Sequence, residues 1–290
     1  MVRIDFIKAA GHSLVRSYLF WFILVFAITA AVIITFVGRP QIGVIKIADI
    51  SIDPWDAPKI VKMIEYARDT NAIKAVVVEI DSLGGGAVPS EEIYLSLVKL
   101  KKKKPVVAYI NLWGLSGGYY IASAANFIYA KPTSLVGNIG VWSSLPPERQ
   151  EPFENIASSG PYKRTTPRRD VINWTEMIKE SFLRAVISQR GERLKISKAE
   201  LSKARIYIGI EALRNGLIDE IGSSSDAIER AAELAGIRGY ERLDINEELG
   251  LLPPWYELIA VSENRSYQAP ESLKSPIDGL PMFHYRYGTR

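Results

Sequence analysis

The sequence contains no cysteine and only two histidines, His12 and His284. The absence of cysteine excludes disulfide bonds, cysteine-ligated metals and a thiol nucleophile. Two histidines also exclude a histidine-rich metal site, and a Ser-His-Asp triad would have to use one of them. Because His12 precedes a long apolar stretch and His284 lies in an irregular proline-rich tail, we expect neither to act as a general base.

A strong charge of either sign is absent as well. The 36 Lys and Arg residues against 32 Asp and Glu residues give a formal net charge of +4. The positive residues fall into local groups, such as Lys101 to Lys104 at the end of a predicted helix, where cations oppose the negative end of the helix dipole. No P-loop pattern is present. The composition therefore predicts no nucleic-acid partner, and the sequence predicts no nucleotide or metal cofactor.

One long apolar run stands near the N-terminus. Residues 17–38 carry no charged side chain, and a helix of that length can cross a bilayer. Arg3, Lys8 and Arg16 precede it, which places the N-terminus in the cytoplasm and the rest of the chain outside it. The alternative is a cleaved signal peptide, but the run exceeds a usual apolar signal region and no small-residue cleavage site follows. We expect a single-pass anchor in the cell membrane.

A single hydroxyl lies among glycines in the segment from Gly114 to Tyr120. An apolar β-type run, 106–110, precedes this segment, and small residues suited to a buried helix follow at 121–125. The pattern predicts a strand, a tight turn and a helix, with Ser116 at the sheet edge and the Gly117 amide at the helix N-terminus. Such a serine is either a nucleophile beside one oxyanion donor or a helix N-cap.

A second glycine cluster follows the preceding predicted strand. Residues 75–80 form a buried-strand pattern that ends in Asp81-Ser82-Leu83-Gly84-Gly85-Gly86, and an amphipathic helix begins near Pro89. The β-α order predicts a parallel sheet with right-handed crossovers, in which ligands bind at the carboxyl ends of the strands. Further predicted strands are 41–50, 127–130 and 137–142, and further predicted helices are 171–190, 198–203 and 225–235.

Five motifs share an order along roughly residues 42–235. They are Ile80 to Gly85, Ser116 to Ala122, Gly137 to Val141, Ser159 to Lys163, and Ala204 to Tyr207 leading to Gly216 to Gly222. In this order they resemble the signal peptide peptidase A family of membrane-bound serine proteases, relatives of the Clp protease and crotonase fold. The resemblance implies an α/β fold with a parallel sheet and flanking helices, preceded here by one transmembrane helix.

The catalytic residues are only partly identified by chemistry alone. With histidine excluded, the base for a serine hydroxyl would be a lysine whose ammonium is destabilised by burial or by neighbouring cations, and the chain has many lysines. The resemblance implies that Lys163 is the general base for Ser116. It also implies that Gly84, Gly85 and Gly117 supply the oxyanion hole.

The resemblance further implies what the protein acts on and how it assembles. It implies a Ser-Lys endopeptidase that degrades hydrophobic peptides such as cleaved signal peptides, without metal or other cofactor. It implies homo-oligomers attached to membrane lipid through the anchor, in which sites are shared because the adjacent subunit supplies the lysine; the alternative is that Lys163 acts within its own chain. We divide the chain into an anchor (1–38), a protease domain (39–245) and a C-terminal tail rich in proline and aromatic residues (246–290).

Two other functions remain open at this stage. A crotonase-type acyl-CoA enzyme would use the same paired-glycine oxyanion hole but does not explain Ser116 or a membrane anchor. A catalytically silent membrane scaffold would not need intact Ser116, Lys163 and both glycine turns. The chain also departs from the family pattern, with Leu83 where proline is usual and Asn138 where serine is common, which leaves substrate preference undetermined.

Overall fold

The computed structural model describes residues 18–29, 39–48, 51–146, 159–160, 162–163 and 165–251. The chain divides into two units, residues 1–40 and 41–290.

In the first unit, residues 18–29 form a helix (α1) whose side chains are almost all exposed. None of the helices in the described ranges combines the length and apolarity required to cross a bilayer. The anchor predicted at 17–38 extends past both ends of α1 into residues outside the described ones. Residues 252–290 of the predicted C-terminal tail also lie outside them.

The second unit is an α/β fold around an eight-stranded sheet. Its strands are β1 (Gln41–Ile47), β2 (Ile73–Ser82), β3 (Val106–Leu115), β4 (Phe127–Ala130), β5 (Leu135–Gly137), β6 (Ile206–Ile208), β7 (Glu220–Ile221) and β8 (Glu241–Asp244). Its helices are α2 (Ala57–Asp69), α3 (Ala87–Lys101), α4 (Gly117–Ser123), α5 (Arg168–Arg190), α6 (Lys198–Leu201), α7 (Gly209–Arg214), α8 (Ser224–Leu234) and α9 (Ile245–Glu248).

The sheet is parallel except at one pair of strands. Its order is β6-β5-β3-β2-β1-β8, and β4 pairs with β3 and β7 outside this path. Only the β5–β6 pair is antiparallel among these strands. Strand β3 changes partner along its length, pairing with β4 from Val107 to Ile110 and with β5 from Trp113 to Leu115. The predicted α/β class with a mostly parallel sheet is confirmed.

Alternating apolar residues give the sheet two buried faces. In β2, Val76, Val78 and Ile80 belong to a core cluster that also contains residues of α2, α3, α4 and α5. Ala75 and Val77 belong to a second cluster, which includes the alanines on one side of α8. Burial on both faces explains why the central strands are nearly continuous runs of apolar residues.

Most elements predicted from the sequence are present within one to three residues of their expected ends. The strand expected at 41–50 is β1, the helix expected at 171–190 is α5, and that expected at 225–235 is α8. The strand predicted at 137–142 is wrong, because β5 runs from Leu135 to Gly137. Asn138 has φ 53°, a left-handed conformation that ends the extended chain at that point.

Candidate active site

Ser116 occupies the turn between β3 and α4. Its amide donates a hydrogen bond to the Gly137 carbonyl at 2.9 Å, which ties the turn to the end of β5. Its backbone has φ 49° and ψ −120°, a region that a residue with a side chain rarely adopts and that stores strain. The hydroxyl makes no capping bond to α4. Ser116 stands at the N-cap position, but the geometry does not give it the role of an N-cap.

The second glycine turn, Gly84 to Gly86, lies against the Ser116 turn. The chain from β1 reaches this turn, where the Ile52 amide donates to the Gly84 carbonyl at 2.7 Å and the Gly86 amide donates to the Ile52 carbonyl at 2.9 Å. A Cβ placed on Gly85, which has φ 152°, would lie 2.1 Å from the Ile52 carbonyl oxygen. Only glycine fits at this contact.

Two backbone amides remain available beside the hydroxyl. The Gly84 amide donates to the Ser82 hydroxyl at 3.2 Å, whereas the amides of Gly85 and Gly117 have no hydrogen-bond partner in the described part of the chain. A Cβ on Gly84 would lie 2.7 Å from the Ser116 Cβ and 2.9 Å from the Gly117 nitrogen. Of the three glycines predicted as oxyanion donors, Gly85 and Gly117 thus offer free N–H groups, and Gly84 provides space next to Ser116.

Ser90 is a feature of this region that the sequence did not single out. It lies in the first turn of α3 and is 1% exposed, and its hydroxyl lacks a hydrogen-bond partner among the described residues. A Cβ on Gly117 would lie 2.3 Å from the Ser90 oxygen and 3.4 Å from the Gly85 nitrogen. The small Ser90 side chain and Gly117 therefore allow the two free amides to approach each other. One serine among the polar residues of a helix gives no sequence signal of this role.

Lys163, the predicted general base, lies in a short turn and is exposed. Its amide donates to the Gly160 carbonyl at 3.2 Å. No hydrogen bond within the described ranges joins it to Ser116, and the neighbouring Pro161 and Arg164 lie outside those ranges. The structure brings Ser116 and the glycines together, and within the described ranges it shows no hydrogen bond between them and Lys163.

Two lysines of the described residues have lowered pKa values, but both lie too far from Ser116 to replace Lys163. Burial lowers the pKa of Lys101 and of Lys104, but Lys101 is the last residue of α3 and Lys104 lies three residues beyond it. This helix has 15 residues and starts beside the glycine turn, so it ends about 22 Å away. The Lys104 ammonium also donates to the carbonyls of Ala67 and Thr70 at 2.6 and 2.7 Å. These bonds give it a structural role.

The described residues contain no group of three or more His, Asp or Glu side chains arranged to hold a metal ion. The candidate site consists instead of a strained serine and free backbone amides at the carboxyl ends of β2 and β3. This arrangement is suited to attack on a carbonyl carbon and to stabilisation of the resulting oxyanion.

The sequence is similar to known peptidases. The profile of peptidase family S49 matches residues 98–238. Protease 4 of Haemophilus influenzae is 29% identical over 203 residues, which are 62% of this chain and 31% of that protein. The chloroplastic serine protease SPPA of Arabidopsis thaliana is 30% identical over 232 residues, which are 69% of this chain and 33% of that protein. The chain thus spans about a third of the length of each of these relatives.

A solved structure also resembles this chain. It is a mutant of the 1510-N membrane-bound stomatin-specific protease, with a TM-score of 0.49 and 16% sequence identity. The superposition covers 72% of this chain and 94% of the other.

Proposed function

Because the chain belongs to the S49 family of serine peptidases, we propose that it is a serine endopeptidase with Ser116 as nucleophile and Lys163 as general base. The observation that carries the proposal is Ser116 in a strained turn, its hydroxyl making no capping bond, beside the Gly85 and Gly117 amides, which have no hydrogen-bond partner among the described residues. The comparisons confirm the family that the sequence motifs predicted.

The proposed reaction uses the site in two half-reactions. The Ser116 oxygen attacks the scissile carbonyl carbon while its proton passes to the neutral Lys163 amine, and the carbonyl oxygen gains the negative charge. The Gly85 and Gly117 amides stabilise this oxyanion. The C–N bond then breaks, the leaving amine takes the proton from Lys163, and an acyl ester remains on Ser116. Water hydrolyses the ester by the same route and regenerates both residues.

Apolar side chains around the site support a hydrophobic peptide substrate. Trp55, Val88 and Trp142 are 78%, 76% and 88% exposed, and Leu112 is 43% exposed. Each lies in a segment at or just beyond the carboxyl end of a strand that builds the site. Exposed apolar residues concentrated at one edge of a sheet favour binding of an apolar ligand. We propose that the protein degrades hydrophobic peptides such as cleaved signal peptides.

The proposed location follows from the N-terminal sequence. The uncharged run 17–38, preceded by basic residues, supports a single-pass anchor with its N-terminus in the cytoplasm and the catalytic unit outside it. An anchor of this kind would hold the enzyme where signal peptides remain after their release from secreted proteins.

A fluorophosphonate probe tests the proposed nucleophile, because it forms a covalent bond with an activated serine hydroxyl and not with ordinary surface serines. We expect one labelled residue per chain, identified as Ser116 by peptide mass spectrometry. The Lys163→Ala variant should react at least about 100-fold more slowly, because the base is lost while the hydroxyl remains. A folded, assembled protein that does not react at Ser116 contradicts the proposed function.

We further propose that Lys163 completes the site of a neighbouring subunit in a homo-oligomer. Its exposure and its position in a turn favour contact with another copy, because Ser116 is held at the rigid edge of the sheet in its own chain. The exposed apolar residues Ile172, Trp174 and Met177 in the first half of α5 follow soon after this turn. They supply apolar surface for such an interface.

Mixing two inactive variants tests the shared site. When Ser116→Ala and Lys163→Ala subunits are dissociated and reassembled together, some interfaces join an intact serine to an intact lysine. Random pairing in a 1:1 mixture predicts recovery of roughly a quarter of the unmodified activity. Each variant reassembled alone is the control and stays inactive. Mixed assemblies that are verified by mass and remain inactive show that Lys163 acts within its own chain or not at all.

A further inference from the structure

Strand β3 contains an irregularity directly before the segment that carries the nucleophile. In the pairing of β2 with β3, Ile80 lies opposite Ile110, whereas Ser82 lies opposite Gly114. Asp81 alone therefore faces three residues of β3, which are Asn111, Leu112 and Trp113. At this same place β3 leaves β4 and begins to pair with β5.

The Asp81 carboxylate bonds to all three residues of this bulge. One of its oxygens accepts hydrogen bonds from the amides of Leu112 and Trp113 at 2.8 and 3.1 Å. The other oxygen accepts from the Asn111 side-chain amide at 2.6 Å. The orientation of that amide is fixed in turn, because the Lys131 ammonium donates to its oxygen at 2.5 Å. Hydrogen bonds to a carboxylate are stronger than those between neutral groups.

The two halves of the candidate site, the glycine turn and the Ser116 turn, come directly after the residues that the Asp81 carboxylate joins. Ser82, the next residue after Asp81, bonds through its hydroxyl to the Gly84 amide and so shapes the turn that presents the Gly85 amide. On the other strand, the bulge sets the register of Trp113 to Leu115 against β5, and Ser116 follows at once. The distance between the nucleophile and the oxyanion donors therefore depends on how Asp81 holds the two strands.

We propose that Asp81 is a positioning residue for catalysis, which fixes Ser116 relative to the Gly85 and Gly117 amides without touching substrate. This inference rests on the proposed function of the same site. A displacement of reacting groups by about 1 Å can reduce a rate about 100-fold. Loosening the bulge should accordingly lower kcat and leave substrate binding, and hence KM, nearly unchanged.

The surroundings of Asp81 separate this role from one in overall stability. Asp81 and Asn111 line an open pocket of about 350 Å³ on the face of the sheet where α8 begins, and Leu112 is 43% exposed. A change of one atom in Asp81 thus removes no packed apolar group and leaves no void in the core. We expect the fold to persist when the hydrogen bonds of the bulge are altered.

A reciprocal exchange of acid and amide provides the test. In Asp81→Asn, an NH₂ group faces the NH₂ group of Asn111, which Lys131 prevents from turning over. In Asp81→Asn combined with Asn111→Asp, one donor again faces one acceptor, and the carboxylate can still accept from Lys131. Glu79→Gln is the matched control, since Glu79 lies on the same face of β2 and its carboxylate bonds to Ser224 and pairs with Arg242. Among the described residues it makes no hydrogen bond to the bulge residues 111–113.

We expect Asp81→Asn to lower kcat and the rate of fluorophosphonate labelling by about 10- to 100-fold, with KM within about twofold of the unmodified value. The double variant should recover most of both rates, and Glu79→Gln should retain them. Labelling of folded Asp81→Asn at the unmodified rate overturns the inference, and so does a double variant that remains slow. If Asp81→Asn does not fold, the double variant alone decides. Failure of the unmodified protein to react would instead refute the proposed function.

Discussion

The Ser116→Ala variant is expected to hydrolyse apolar peptides at least about 1,000-fold more slowly than the unmodified protein. The change removes the proposed nucleophile, while the amides of Gly85 and Gly117 and the exposed apolar residues near the site remain. The fold should not suffer, because the Ser116 hydroxyl makes no capping bond and alanine is close to serine in volume. Turnover of a quenched fluorescent apolar peptide, together with thermal unfolding, measures both effects.

Ser123→Ala is the informative control for this experiment. Ser123 lies on the same helix as the Ser116 turn, but it is buried and its hydroxyl donates to the Tyr120 carbonyl at 2.6 Å. Losing that bond should cost about 1 kcal/mol of stability and leave turnover unchanged. We therefore expect Ser116→Ala to lose activity and keep its stability, and Ser123→Ala to lose stability and keep its activity. Residual turnover of Ser116→Ala near the unmodified rate would exclude Ser116 as the nucleophile.

The second large effect is expected on stability, when Arg190 at the end of α5 is replaced with alanine. The Arg190 and Asp219 side chains are 1% and 7% exposed, and two guanidinium nitrogens donate to the carboxylate at 2.9 and 2.8 Å. Asp219 also accepts from the Ile128 amide at 2.8 Å, at the start of β4. Removing Arg190 leaves the buried Asp219 carboxylate with Arg193, 47% exposed and 3.1 Å away, as its charged partner among the described residues. We therefore expect a cost of about 3 kcal/mol, the lower end of the range for breaking a buried ion pair.

Chemical unfolding of Arg190→Ala beside Arg184→Ala tests this expectation. Arg184 lies on the same helix and pairs with Glu180 at 3.0 Å, but its side chain is 76% exposed. Exposed pairs contribute about 0–1 kcal/mol, so Arg184→Ala should unfold close to the unmodified midpoint. Equal destabilisation of the two variants would show that the buried pair contributes no more to folding stability than the exposed pair.

The loss of folding stability in Arg190→Ala should depend on pH. Burial by itself raises the pKa of Asp219, but the hydrogen bonds and charge of Arg190, with help from Arg193 and the Ile128 amide, hold it below its ordinary value of 3.8. A carboxyl group with a lowered pKa in the folded state stabilises the protein above pH 3.8, and this contribution is lost as the pH falls through the folded pKa. The difference between variant and unmodified protein should therefore be largest near neutral pH and shrink in acid.

Much of the fold could be predicted because the central strands carry their signal locally. Val76 to Ile80 and Val106 to Ile110 are short apolar runs bounded by turn residues, and helices follow them at readable positions. The error at residues 137–142 arose because Ile139 and Val141 look like strand residues. The left-handed backbone of Asn138 depends instead on bonds from Asn138 to the carbonyls of Ala204 and Arg205, which are distant in sequence.

The candidate site was predictable to a different extent for each residue. Ser116 and the glycines stand out because few roles require a hydroxyl or a bare backbone at a strand end. Asp81 precedes the glycine turn in the sequence, yet its bonds reach residues on another strand, and no local pattern reveals them. Lys163 was chosen through family resemblance, since its chemistry requires a neighbour that local sequence does not specify.

The burial pattern of α5 determines where this helix tolerates substitutions. The helix has 23 residues, but its buried residues begin at Phe182 and continue through Leu183 and Val186 to Arg190. Its packing against the core is therefore confined to its C-terminal half, and substitutions in the first half should leave the core undisturbed. The first half of α5 can accordingly exchange residues with little loss of folding stability. That freedom begins a few residues after Lys163, so the proposed substrate range or the proposed assembly could diversify while Ser116 and its glycines stay fixed.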